Sequence, residues 1–403
     1  MMSNVFANLK GDKVIWAVAA LLAIFSFLPV YSASSNLAYL HGDGSTTGFL
    51  IMHFFHLLLG FCLLFAVHKI PYHYFRGISI LLLPIVIVLL IFTIAQGTTI
   101  DGAYASRWIR IPVLNVSFQS STLASVVLMV YVARYLSKIT EKKVTFKETI
   151  IPLWAPVFAV LVLILPANFS TTAIIFVMTL ILMFLGGYPI KYLSAIVGVG
   201  IVMLGIFVLT AKAFPGLLPN RIDTWSSRIE TFFDGEEADE QYQVEKAKIA
   251  IAQGGITGTG IGKSVQRNFL PQSSSDFIYA IIVEEMGLIG AFGVMLAYLL
   301  LLFRIVIVAT KASSIFGKLV VMGVGLPIVF QALINMGVAV ELFPVTGQTL
   351  PLVSSGGTSI WMTCIALGII LSVSARREEI KEFENESLNG EEENPLDILS
   401  EAI

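Results

Sequence analysis

Ten separate stretches of this chain each run for about twenty residues with almost no charge, the length an α-helix needs to cross about 30 Å of hydrocarbon. They begin near Val14, Gly48, Gly77, Thr122, Ile150, Thr171, Leu193, Ile278, Leu319 and Ser359. Backbone inside a bilayer must satisfy its own N–H and C=O groups, which helices and closed barrels alone can do. The runs are too long for barrel strands, so the sequence predicts an all-α polytopic membrane protein with ten transmembrane helices. Composition agrees: 56% of residues are hydrophobic and 13% charged, against roughly 25% charged in soluble domains. The first run is too long for a signal peptide, and no small-residue cleavage site leads from it into a soluble domain.

Lysine and arginine orient the bundle, because they accumulate in short cytoplasmic loops. With the N-terminus inside, sixteen of the 25 fall on inside segments, Arg107 and Arg110 on short outside loops, and the other seven in one long outside segment, 212–277. The expected topology is N-in and C-in. Residues 378–403 hold ten acids and one lysine, leaving 24 basic against 17 acidic residues on the body. The expected organisation is a membrane domain over 1–377 and an acidic, disordered cytoplasmic tail over 378–403. Nothing in this charge pattern suits nucleic acid. Cys62 and Cys364 both lie in apolar runs and read as unreactive core thiols.

The long outside segment contains "GGITGTGIGKS", Gly254–Ser264, which resembles a phosphate-binding P-loop at first sight. A P-loop needs G-x-x-x-x-G-K-[ST] after a buried strand, but the residue five before Gly262 is Thr257, and "YQVEKAKIAIAQ" ahead of it reads as an amphipathic helix. The nucleotide reading fails on both counts.

Polar residues concentrate at the outer ends of the runs. Asp276 follows three serines at the mouth of the eighth run, either as part of an ordinary N-cap or as a functional acid. Glu284 and Glu285 lie deeper in that run, where carboxylates are expensive and tend to face a polar cavity. Arg107 and Arg110 flank Trp108 on the side that the topology bias leaves poor in cations; they suit an anionic ligand or an interfacial belt. In "ELFPVTGQTLPLVSSGGTS", Pro344, Pro351 and the Gly356–Gly357 pair forbid a regular helix beside Ser354 and Ser355, which predicts a re-entrant element. His53 and His56, at helical spacing, suit polar contacts within the bundle.

The segments "RWIRIPVLNVSFQSSTLASVVLMVYVARYLS", "FLPQSSSDFIYAIIVEEMG" and "GQTLPLVSSGGTSIWMTCIALGIILSVSAR" together resemble the SEDS family (shape, elongation, division and sporulation), over nearly the whole chain and in order. The compact "GTGIGKS" is closer to the division-type branch than to the elongation-type branch. The resemblance implies a peptidoglycan glycosyltransferase of the bacterial cytoplasmic (inner) membrane, placed at the division septum. It would polymerise lipid II on the outer face, with a class B penicillin-binding transpeptidase, other division proteins and membrane lipids as partners.

Carried over by motif, the resemblance makes Asp276 the catalytic residue. Glu284 and Glu285 take the family's paired glutamates, and Ser354, Ser355, Gly356 and Gly357 its serine–glycine motif. Arg107 falls in its arginine region; Arg228, Phe232 or Phe233 and Asp234 fit a further element, and Tyr242–Gln243 another. The family's glutamate and lysine of "QPSE-x-x-K" are replaced by Thr122 and Ser125, and the aspartate of "PD-x-G-T" by Asn168.

Lipid II is α-linked and its polymer β-linked, so the implied reaction inverts the anomeric centre. One general base suffices, for which Asp276 is the candidate, together with stabilisation of the departing pyrophosphate. Candidate cations for the leaving group are Arg107, Arg110, Arg228, Lys263 and Arg267. No His/Cys/Asp spacing marks a protein metal site; the resemblance leaves room for a divalent cation, magnesium or manganese, bound with the pyrophosphate. The glycines of 254–262 are expected to shape an outer loop near this substrate. Two other classes stand beside the enzyme: a lipid II flippase, which would need inverted repeats and midplane helix breaks, and a non-catalytic division scaffold.

Overall fold

Hydrophobic length translates directly into helices. In a computed structural model, the described residues are 9–40, 46–96, 99–100, 103–104, 108–111, 116–140, 142, 144–213, 238–270 and 273–391. The helices are α1 (Lys13–Leu40), α2 (Thr46–His68), α3 (Phe75–Gln96), α4 (Ser120–Ile139), α5 (Phe146–Ile164), α6 (Phe169–Leu185), α7 (Ile190–Ala213), α8 (Ala238–Gly254), α9 (Ile278–Lys311), α10 (Ile315–Ala339) and α11 (Gly357–Glu391).

Each of the ten apolar runs is helical. Eight of these helices are long and apolar enough to cross a membrane; α6, with 17 residues, and the apolar stretch Ile190–Val202 of α7 are shorter. Among the described residues eight of the ten expected spans are thus matched by helices of membrane-crossing length, and the other two runs form shorter apolar helices. Large hydrophobic side chains such as Ile24, Leu81 and Ile151 point away from the bundle, as a lipid-facing surface requires. Cys364 is a buried thiol, but Cys62 lies on the exposed side of α2, which corrects its placement in the core.

Proline and glycine break the regular helices. In α5, Pro152 sits within a π-helical turn, Ile150–Trp154, where its missing N–H costs least, and its carbonyl accepts the Tyr131 hydroxyl at 2.6 Å. In α9, Gly287 is non-helical at φ 64° and ψ −163°. Two short antiparallel ladders join α3 to α4, which the all-α expectation did not include: β1 (Thr99–Ile100) with β2 (Ala103–Tyr104), and β3 (Trp108–Ile111) with β4 (Val116–Gln119). The amphipathic stretch before the glycines is helical, as α8, and buries Ala247 and Ala250. At the chain's far end α11 continues through Glu391, past the boundary expected at Arg377.

Close approach organises the centre. α2 packs along α11, where a side chain at Gly368 would meet the Leu64 carbonyl at 2.9 Å. His53 makes the polar bundle contact expected of it, 2.7 Å from the Ser26 hydroxyl. At one end of the bundle Asp12 caps α1 through the amides of Val14 and Ile15, at 3.0 and 3.2 Å, and pairs with Arg304 of α9. The opposite end holds the candidate site.

Candidate functional site

Asp276 precedes α9 by two residues, and the N-cap position falls to Phe277. The carboxylate-bearing residue instead lines a cavity of about 300 Å³ formed by α4, α6, α10, α11 and the irregular segment between the last two. Apart from Asp276 its polar groups are uncharged and stand among apolar side chains such as Met129 and Ile175: β4 contributes Gln119, α4 contributes Ser121, Thr122 and Ser125, and α6 contributes Thr171. Ser275, Gln331, Gln348, Thr349, Ser355, Ser359 and Thr363 complete the polar lining, with Trp108 from β3. Among the described lining residues Asp276 is the only acid, and none is a lysine or arginine.

The re-entrant segment expected from its prolines and glycines exists, and it is what holds Asp276. The Ser355 amide donates to the Ser274 carbonyl at 2.9 Å. The Ser354 hydroxyl donates to the Ser275 carbonyl at 2.6 Å while accepting from the Leu350 amide at 2.7 Å. Asn335 on α10 donates from Nδ2 to the carbonyls of both Asp276 and Gln348, at 2.8 and 2.7 Å. Gln348 then reaches across to the Thr171 hydroxyl at 2.9 Å, and Gln331 to the Thr349 carbonyl at 2.9 Å. On the opposite wall, Thr358 accepts from the Gln119 amide at 3.3 Å and donates to the Ser117 carbonyl at 3.1 Å. Such interlocked bonds are what non-helical backbone needs in order to persist at membrane depth.

Of the residues expected at the site, Asp276, Ser355 and Gly356 line the cavity, with Ser354 behind them and Gly357 opening α11. Thr122 and Ser125, where the family pattern has charge, face the same space. Asn168 caps α6 by accepting the Thr171 amide at 3.1 Å. Asparagine and aspartate cap equally well, which accounts for the replacement there. Arg107, Arg228, Phe232, Phe233 and Asp234 lie outside the described residues, and of Arg110 only the backbone, paired with Ser117, is described.

Glu284 and Glu285 do not share the cavity, contrary to the expectation for carboxylates in that run. They are 0% and 3% exposed and are held by the glycine-rich stretch. Glu284 accepts from the Ser264 hydroxyl and from the amides of Val265 and Gln266, at 2.8 and 3.2 Å. Glu285 accepts from the Ser264 amide at 3.2 Å and from the Ser32 hydroxyl of α1. The helix break at Gly287 frees their carbonyls, which accept from the amides of Thr259 and Gly260 at 2.9 and 3.0 Å.

The glycines make that docking possible. A side chain at Gly254 would sit 2.0 Å from the Val283 carbonyl oxygen, one at Gly258 2.1 Å from that of Glu285, and one at Gly287 2.3 Å from that of Ile256. The expectation that this stretch shapes an outer loop beside the substrate is thus corrected: it fastens onto the broken turn of α9. Arg267 belongs to the same junction, donating to the Ser32 hydroxyl at 2.8 Å and the Gly262 carbonyl at 3.0 Å. Lys263 is exposed and away from the cavity lining.

Sequence reasoning did not single out Gln331 and Asn335. Their signal was available, since two amides one helical turn apart in an apolar run are costly unless partnered.

Relatives match this chain over nearly their whole length. A protein of Hydrogenovibrio crunogenus named probable peptidoglycan glycosyltransferase FtsW is 34% identical over 366 residues, covering 89% of this chain and 90% of that one. Its namesake in Geobacter metallireducens is 34% identical over 387 residues, covering 93% and 99%. In fold, the chain resembles a structure described as showing coordination of polymerization and crosslinking by a peptidoglycan synthase complex, with TM-score 0.72, 24% identity and coverage of 91% and 98%. It also resembles the rod shape determining protein RodA of Thermus thermophilus, with TM-score 0.63, 23% identity and coverage of 91% and 97%. Residues 12–379 match the FtsW, RodA and SpoVE family, described as cell cycle protein, and with that match and those relatives this multi-pass membrane protein belongs to that family.

Proposed function

We propose that this protein is a peptidoglycan glycosyltransferase that polymerises lipid II on the outer face of the cytoplasmic membrane, at the septum, with Asp276 as its general base. The observation that carries the reading is the position of Asp276 as the only described acid in an otherwise neutral cavity at one end of the bundle. The names of the FtsW relatives support the same activity. Hydroxyls and amides suit a sugar, which offers donors and acceptors but no charge.

In the proposed step the acceptor 4-hydroxyl attacks the donor's anomeric carbon while the bond from that carbon to the pyrophosphate oxygen breaks. Asp276 takes the hydroxyl proton, and the undecaprenyl pyrophosphate leaves with the bonding electron pair. One carboxylate among neutral oxygens also fits a magnesium-type ion, which typically binds one or two carboxylates together with substrate phosphates. Bound there with the pyrophosphate, such an ion would neutralise leaving-group charge. The partner that suits this activity is a class B penicillin-binding transpeptidase, which would cross-link the strand as it emerges.

The test is glycan synthesis from lipid II by the purified protein with its transpeptidase partner, wild type beside Asp276→Asn. The expected outcome is polymer from the wild type and a fall of roughly 10²- to 10⁴-fold in the variant, the usual contribution of a positioned base. Wild-type rates from a folded Asp276→Asn protein would remove Asp276 from the chemistry. Absence of polymer with lipid II still crossing the bilayer would make the protein a flippase.

A further inference from the structure

We infer that Asn335 is a positioning residue for Asp276, setting the base against the opposite wall of the cavity; the inference rests on the proposed role of Asp276. Asn335 lies on α10 and is 1% exposed. A carboxamide nitrogen has two hydrogens, and both are committed to carbonyls of separate segments: Asp276 at 2.8 Å and Gln348 at 2.7 Å. Its Oδ1 is buried and accepts no hydrogen bond from the described residues. An unpartnered buried acceptor costs stability, so an apolar residue would serve packing better at this point of an apolar helix. What the amide adds is the link between the two carbonyls.

That link controls direction. The Asp276 carbonyl belongs to the peptide plane shared with Phe277, so holding it restrains the ψ angle of Asp276 and with it the direction in which the Cα–Cβ bond leaves the backbone. The Gln348 carbonyl is held by the same nitrogen, while the Gln348 side chain crosses to Thr171 at 2.9 Å. One side chain thereby sets the separation between Asp276 and the α6 wall. Gln331, one turn earlier on α10, anchors only Thr349. Asn335 is absent from the cavity lining, so its loss should misplace the base without removing a contact to the substrate.

The experiment measures initial polymerisation rates against lipid II concentration for the full-length protein with its transpeptidase partner. Wild type is compared with Asn335→Asp, which keeps the shape and loses both donors, and with Asn335→Leu, which also removes the unpartnered oxygen. Asp12→Asn, at the far end of the bundle, serves as a control that lowers Tm without touching the site. Rates are normalised to the monodisperse, folded fraction. The expected result is a kcat lower by about 10- to 100-fold in both Asn335 variants, the scale of a misplacement near 1 Å, with KM changed by less than about threefold because substrate contacts are intact. The control should keep its kcat. Wild-type kcat per folded molecule in either Asn335 variant, or a rise in KM with kcat unchanged, overturns the inference while leaving the proposed function standing. Failure of the wild type to make polymer overturns both.

Discussion

The hydroxyl of Ser264 donates to the carboxylate of Glu284 from twenty residues upstream, and the two amides that follow that serine converge on the other carboxylate oxygen. A buried acid in a membrane helix is thereby stabilised, with no ion pair from the described residues, by donors from a turn that folds back onto it. The glycine–lysine–serine signature is thus a lock on a helix break.

Removing the acid should open that lock. Glu284→Ala leaves the Ser264 hydroxyl and two amides without their acceptor and is expected to cost about 2–3 kcal/mol, whereas Glu284→Gln keeps an acceptor and should cost about 1 kcal/mol. Thermal denaturation in detergent reads the order; equal melting of Glu284→Ala and wild type would mean the lock contributes nothing to stability.

Two glycines with similar backbones should respond very differently to alanine. Gly258 and Gly262 have φ of 82° and 77°, but a side chain at Gly258 meets the Glu285 carbonyl at 2.1 Å while one at Gly262 meets nothing within 4 Å. Gly262→Ala should cost only the left-handed backbone penalty, about 1–2 kcal/mol. Gly258→Ala should cost several times that or abolish the folded monodisperse peak in size-exclusion chromatography. Comparable yields and melting temperatures for the two variants would contradict the docked geometry.

Charge placed back into the cavity should act pairwise. Thr122 and Ser125 both face Asp276 across the lining and sit three residues apart on α4, where side chains are neighbours. Thr122→Glu alone adds a second carboxylate beside Asp276 in the cavity proposed to take the lipid-linked substrate and should lower polymerisation by about tenfold, an electrostatic cost near 1.4 kcal/mol. Adding Ser125→Lys should restore most of the loss by pairing the new acid. A double variant as impaired as the single one would place these two side chains apart.

The sequence-to-structure match is uneven for physical reasons. Helix placement was legible because apolar length and the bilayer's demand on backbone polar groups are local properties of each run. Asp276 was legible because it stands in a motif next to irregular, proline- and glycine-bearing backbone. The glutamates were misassigned because eight and nine residues beyond Asp276 on one helix suggested one cavity, whereas Gly287 breaks that helix and the 254–266 stretch claims both acids. Arg267 was read as a candidate cation for the leaving group from its place in the outer segment; its guanidinium is engaged with Ser32, 235 positions away.

By itself, then, the sequence determined that the chain is a bundle of membrane helices and where each helix lies, since burial in hydrocarbon is decided one apolar segment at a time. Only the tertiary structure decided which polar groups share the cavity and which are spent on holding it. Those assignments depend on bonds between distant segments, such as Asn335 to Asp276 over 59 positions and Thr358 to Ser117 over 241, and no local pattern of residues encodes that a carbonyl on one segment will find its donor on another.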